Sequence, residues 1–176
     1  AKRFADREFL FGYDLLNEPA MCQWETLNEF YRETIQEIRK SDRNHMIVLE
    51  GDHFAMDFQE LEQFDDPQIC LGFHFYPICW YPRLSEPDCT REEFNALFRE
   101  VLTTILTQCK KHGKPYICGE FGFERDGVSE EILNTRMKDT LQLFEEFGLS
   151  WVIWTYKDIG DMGLVYLKRE MPWIRL

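Results

Sequence analysis

The chain has 176 residues, 44% of them hydrophobic and 15% aromatic, enough apolar material to close a core and too much for a disordered segment. Its formal net charge is -12. That charge argues against nucleic acid and against an anionic membrane surface, both of which are recognised through clustered Lys and Arg, and it suits a neutral ligand such as a sugar. No stretch approaches the roughly 20 apolar residues of a membrane-spanning helix.

In chain order, apolar runs alternate with amphipathic stretches. The first run, Phe9 to Leu16, reads as a strand and stops at Asn17-Glu18-Pro19. From Trp24 to Arg39 the apolar residues Leu27, Phe30, Tyr31, Ile35 and Ile38 form a helical stripe. His45 to Glu50 reads as the second strand, Asp57 to Phe64 as a short helix, and Ile69 to Tyr76 as the third strand. Thr90 to His112 is a long helix, with Thr90 and Glu93 in a capping-box pattern at its start and Gly113 as its terminating residue. Pro115 to Phe121 is the fourth strand. Ser129 to Phe147 is the next helix, ended by Gly148, and Trp151 to Tyr156 is the fifth strand.

These strand runs are continuously apolar, as parallel strands covered on both faces are. The fold class is therefore α/β: parallel strands, right-handed crossovers and outer helices, in a single domain over 1–176. Five such strands fit either an open doubly wound sheet or part of an eight-stranded barrel. No Gly-x-Gly-x-x-Gly follows the first strand, which favours a partial TIM (β/α)8 barrel.

Two glutamates close apolar runs that lead into helices, and in a parallel barrel such strand ends share the catalytic face. Pro19 excludes Glu18 from the right-handed helical region, so the strand must stop there and present the carboxylate. Asn17 beside it can donate to and accept from a sugar hydroxyl. Glu120 lies between Gly119 and Gly122, where backbone or ligand can approach closely. His74 and Tyr76 alternate on one strand and share a face, in reach of a carboxylate. Trp154 offers a flat indole to a sugar ring at a strand end, and Trp80 with Tyr81 forms a candidate outer platform. Lys157, Asp158 and Asp161 follow in a loop. Glu50 ends the second strand as a spare carboxylate, ranked below the other two.

None of the six cysteines falls in a Cys-x-x-Cys pair, so zinc or redox chemistry is not indicated. Cys70, Cys109 and Cys118 read as buried thiols, while Cys79 and Cys89 flank one loop and could be bridged in an oxidising compartment. Neither a metal nor a cofactor is expected. A rival reading is a metal-dependent hydrolase using Glu18, Glu50, Asp158 and His74; another is a carbohydrate-binding or catalytically silent half-barrel fragment, with the same fold but no turnover.

Four stretches together resemble glycoside hydrolase family 5, retaining (β/α)8 glycosidases that include cellulases and mannanases. They are Gly12 to Pro19, His74-Phe75-Tyr76-Pro77, Gly119-Glu120-Phe121-Gly122 and Trp154-Thr155-Tyr156-Lys157. Their order is similar to strands four, six, seven and eight of that barrel. The resemblance implies Glu18 as general acid/base, Glu120 as nucleophile, Asn17 at the sugar 2-hydroxyl, His74 and Tyr76 supporting the carboxylates, and Trp154 flooring the subsite beside the cleaved bond. It implies a β-linked oligo- or polysaccharide substrate, and strands one to three supplied by a missing N-terminal half or a second chain. Secretion is common in the family, whereas six cysteines without a pairing pattern favour a reducing setting, so the compartment stays open.

Overall fold

The computed structural model describes residues 1–86, 88–125, 127–158 and 161–166. Four strands form one sheet in the order β1-β2-β3-β4: β1 is Gly12–Asp14, β2 Met46–Glu50, β3 Ile69–Phe75 and β4 Tyr116–Phe121. The long helices are α1 (Trp24–Arg39), α2 (Arg91–Lys111) and α3 (Glu130–Glu146). This is the expected class, parallel strands with helices in the manner of a partial (β/α)8 barrel. By contacts the chain divides into two compact units, Ala1–His74 with Glu100–Cys118, and Phe75–Arg99 with the residues from Gly119 onward.

In the first unit, β1 pairs in parallel with β2, Asp14 opposite Val48, and β2 with β3, Val48 opposite Cys70 and Glu50 opposite Gly72. The Leu71 N–H donates to the Pro115 carbonyl just before β4 at 2.9 Å. Because side chains alternate along a strand, this register sorts the faces. Ile47, Leu49, Ile69, Leu71 and Phe73 share one face and are all buried, as are Leu27, Tyr31 and Ile35 of α1. The other face carries Asp14, Val48, Glu50, Cys70, Gly72 and His74, where small and ionisable residues replace large aliphatics. The apolar runs thus conceal an alternation of size and polarity.

The second unit is built on aromatic packing. Phe75 meets Phe98 edge-on with centroids 5.2 Å apart, Phe94 stacks on Phe98 at 4.1 Å, and Phe144 meets both Phe75 at 5.6 Å and Phe121 at 4.9 Å. Such pairs contribute about 0.5–1.5 kcal/mol each beyond the area they bury. The capping box forms as expected: the Thr90 N–H donates to Glu93 Oε2 at 2.9 Å and the Glu93 N–H to Thr90 Oγ1 at 3.2 Å. Ser129 Oγ caps α3 by accepting from the Ile132 N–H. Gly113 and Gly148 end their helices in the left-handed region, with φ of +62° and +63°.

Two expectations need correction. Asp57 to Phe64 is not a helix; a short turn at Asp52–Ala55 precedes it, with His53, Phe54 and Ala55 at positive φ. The segment is instead pinned from outside its own backbone. The Phe58 N–H donates to Gln108 Oε1 at 2.7 Å, and the Asp57 carboxylate accepts from the Gln59 N–H at 3.0 Å, an Asx turn that competes with a helix. Trp151 to Tyr156 is not a continuous strand either. The Trp154 N–H donates to the Phe121 carbonyl at 2.9 Å, but among the described residues no strand flanks its other side, and Val152 and Tyr156 are exposed. The regular pairing comes later, between β5 (Lys157–Asp158) and β6 (Val165–Tyr166). All six cysteines are free thiols, so Cys79 and Cys89 are unbridged; Cys70, Cys109 and Cys118 are buried as expected.

Candidate active site

In the first unit, the site is built where β1, β2 and β3 end. Glu18 lies four residues beyond β1. It leaves the right-handed region as Pro19 demands, but into the left-handed one, with φ of 49°, rather than into the extended one. That geometry is costly for a residue with a Cβ and needs support from its surroundings. The support is Glu50: the Glu18 N–H donates to Glu50 Oε2 at 2.6 Å. Glu50 is 1% exposed, and the Tyr31 hydroxyl donates to its main-chain carbonyl at 2.7 Å.

His74, 2% exposed, stands between two carboxylates. Its Nδ1 is 2.8 Å from Glu18 Oε1 and its Nε2 3.2 Å from Glu50 Oε1. Each ring nitrogen thus faces one carboxylate. The Glu18 carboxylate keeps 29% of its side-chain surface open, so it is gripped from the protein side and available from the other. Asp14 adds a third carboxyl. Burial of that carboxyl and then the charge and hydrogen bond of Glu50 push its pKa from 3.8 up to about 7, against the opposing pull of His74. As a residue Asp14 is exposed at the edge of β1, so the Glu50 contact is the cause that holds where water reaches.

In the second unit, the Tyr76 hydroxyl donates to Glu120 Oε2 at 3.0 Å. Glu120 is partly buried on β4, and its neighbour Phe121 accepts the Trp154 N–H. A Cβ on Gly122 would stand 2.2 Å from the Trp154 carbonyl oxygen, so this close approach requires glycine. The Trp154 indole residue is 49% exposed, as an aromatic surface for a ligand must be. Trp80, 46% exposed, ends the turn Pro77–Trp80. Lys157 is exposed on β5, and Asn17 is exposed beside Glu18.

The structure thus joins Glu18 with His74 and Tyr76 with Glu120, as the sequence led one to expect. Trp80, Lys157 and Asn17 are exposed at the surface. Glu50 and Asp14 were underrated. Their signal was register: Asp14 opposite Val48, and Glu50 two residues beyond Val48, place both carboxyls on one face of neighbouring strands. Of the residues in the metal reading, Glu18, Glu50 and His74 contact one another, and Asp158 lies on β5.

A family model described as cellulase, glycosyl hydrolase family 5, matches residues 1–160. The chain belongs to glycoside hydrolase family 5. It is 29% identical over 188 residues to a beta-xylosidase of Phanerodontia chrysosporium, covering 100% of this chain and 39% of that protein. It is 27% identical over 168 residues to a probable mannan endo-1,4-beta-mannosidase A of Aspergillus flavus, covering 83% and 41%. Among solved structures, Thermotoga maritima Cel5A in complex with cellobiose superposes with a TM-score of 0.80 at 19% identity, over 99% of this chain and 60% of that one. The chain therefore spans about two-fifths of the length of these curated family 5 relatives. At that identity the structural likeness concerns the fold, the partial barrel of the family.

Proposed function

We propose that this family 5 chain carries the two catalytic glutamates of a retaining β-glycosidase acting on a β-linked glucan or mannan. The observation that carries the reading is Glu18: a carboxylate on a left-handed main chain, gripped at 2.8 Å by a buried histidine and open on its other side. Such strain persists where a site needs it. Glu120, held by the Tyr76 hydroxyl at the end of the fourth strand, is the partner carboxylate.

In this reading Glu18, protonated, gives its proton to the leaving glycosidic oxygen as Glu120 attacks the anomeric carbon. Water then attacks the glycosyl-enzyme, with Glu18 as base. Retention requires the two carboxyl groups to lie about 5–5.5 Å apart. The Tyr76 hydrogen bond favours ionised Glu120 as the nucleophile. Trp154 and Trp80 supply faces for sugar rings, and Asn17 and Lys157 supply polar contacts to hydroxyls. The strands that complete the barrel are supplied by residues other than these.

The test is turnover of aryl β-glycosides, β-glucan and β-mannan by the protein, with the anomer first released followed by proton NMR. The expected result is the β-anomer, and a fall in kcat of at least about 10³-fold in Glu18→Gln and Glu120→Gln. Release of the α-anomer would make the enzyme inverting and remove Glu120 as nucleophile. Sugar binding without turnover, unchanged in both variants, would favour the carbohydrate-binding module instead.

A further inference from the structure

The Glu50 carboxylate is almost fully buried, and the proposed chemistry does not consume it. A buried carboxylate is strongly destabilising unless it is paired. Oε2 accepts from the Glu18 main chain at 2.6 Å, and Oε1 faces His74 Nε2 at 3.2 Å. The opposite nitrogen of the same ring holds the Glu18 carboxylate. One side chain therefore restrains Glu18 twice, at its backbone and, through the imidazole, at its carboxylate.

We propose that Glu50 is the positioning residue for Glu18, fixing its left-handed turn directly and its carboxylate through the His74 imidazole. The catalytic meaning of this rests on Glu18 being the acid/base; the arrangement itself does not. The groups that face Glu50 come from each neighbouring element. They are Asp14 of β1, Glu18 beyond it, Tyr31 of α1 and His74 of β3, with the Cys22 thiol acting on Tyr31 from nearby. The His74 ring is the one group among them that touches both the Glu18 and the Glu50 carboxylate in the described contacts.

A buried glutamate kept for packing alone would tolerate Gln. Glu50→Gln keeps the shape and can still accept from the Glu18 N–H, but it presents an amide to His74. In ¹⁵N spectra of the chain, loss of the carboxylate at Nε2 is expected to move the His74 titration to lower pH in Glu50→Gln. Where the protein turns over substrate, kcat is expected to fall about 10²-fold, as for a misplaced catalytic group, with KM little changed. Glu50→Asp should restore part of the rate.

If the His74 titration is the same in Glu50→Gln as in the natural protein, the proposal is overturned while the glycosidase reading stands. If the ring shifts but Glu18→Gln leaves turnover unchanged, the positioning arrangement stands and the glycosidase reading falls. Should Glu50→Gln not fold, Glu50→Asp decides, since it keeps the charge but withdraws the carboxylate from the Glu18 main chain: kcat should fall with KM little changed, and an unchanged kcat counts against the proposal.

Discussion

Strand β2 carries a histidine–carboxylate cluster at each end, and the two are wired in opposite ways. At its start, Asp42 (2% exposed) is surrounded by donors. These are the His45 and Asn44 N–H groups at 3.1 and 3.0 Å, the Tyr13 hydroxyl at 2.7 Å and His45 Nδ1 at 2.6 Å. His45 Nε2 donates to the Arg7 carbonyl at 2.9 Å. Arg39 closes the same end, donating to the Asp42 and His45 carbonyls and forming a salt bridge with Asp66 at 2.6 Å. At the other end of the strand, Asp14, Glu18 and Glu50 crowd one imidazole, and Glu18 sits on a strained main chain. The first cluster has donors to spare and reads as structure. The second is short of positive charge and is held together against its own repulsion. A histidine next to a carboxylate therefore says little about function; the ratio of donors to acceptors, and the strain, say more.

The sharpest way to break this contrast is to remove one carboxylate from each end. Asp42→Ala strips a buried anion from four donors and leaves the His45 cation uncompensated, so a loss of about 3–5 kcal/mol is expected in urea unfolding. Glu50→Gln removes a charge from a crowded anionic site and should change stability by less than about 1 kcal/mol, the pattern of a functional site that costs stability. Equal losses in the two variants would end the distinction. Next in size is Gly51→Ala, directly after Glu50. The new Cβ would meet the Asp57 carbonyl oxygen at 2.0 Å, a backbone clash that should cost about 1–3 kcal/mol by overpacking and lower turnover by shifting Glu50. Smaller again is Tyr13→Phe, which keeps the edge contact with the His45 ring at 6.1 Å but loses a hydrogen bond to ionised Asp42. The expected cost is about 1.5 kcal/mol, read from the thermal midpoint, with turnover unchanged.

Much of the fold was legible because local and tertiary signals agree. The stripe from Trp24 to Arg39 coincides with α1, and the Thr90–Glu93 box and the two terminating glycines place the ends of α2 and α3. What failed was decided by partners distant in sequence. Asp57 to Phe64 is held by Gln108, some fifty positions on, and Trp151 to Tyr156 lacks a strand on one side among the described residues. At the site, Glu18, Glu120, His74 and Tyr76 stood out because each interrupts or ends an apolar run. Glu50 looked equivalent to any strand-end acid. Its role depends on which residues stand opposite it, and one sequence does not give register. Asp14 was hidden for the same reason.

The smallest expected effect is a difference in how the two ends respond to pH. Burial, the largest single influence on Asp42, opposes its ionisation, but the hydrogen bonds from His45, Tyr13 and Asn44 outweigh it and hold its carboxyl well below 3.8. Its contribution to stability is therefore present above about pH 4 and lost as the pH falls. His45 is shifted the other way, upward, by its bond to the Arg7 carbonyl and then by Asp42. Its share is complete below about pH 6.5 and is lost as the pH rises through the folded value. Asp14 moves from 3.8 to about 7. Between those values the folded chain holds a proton that the unfolded chain has released, so its share of stability declines as the pH rises from about 4 to 7. Because Asp14 is exposed, solvent screens its interaction with Glu50 and the decline should be shallow. Urea midpoints measured from pH 3 to 8 should therefore flatten between pH 4 and 7 in Asp14→Asn and below pH 4 in Asp42→Asn. If both substitutions flatten the same window, the carboxyls at the two ends of β2 titrate alike, and crowding at the Glu18 end does not hold a proton.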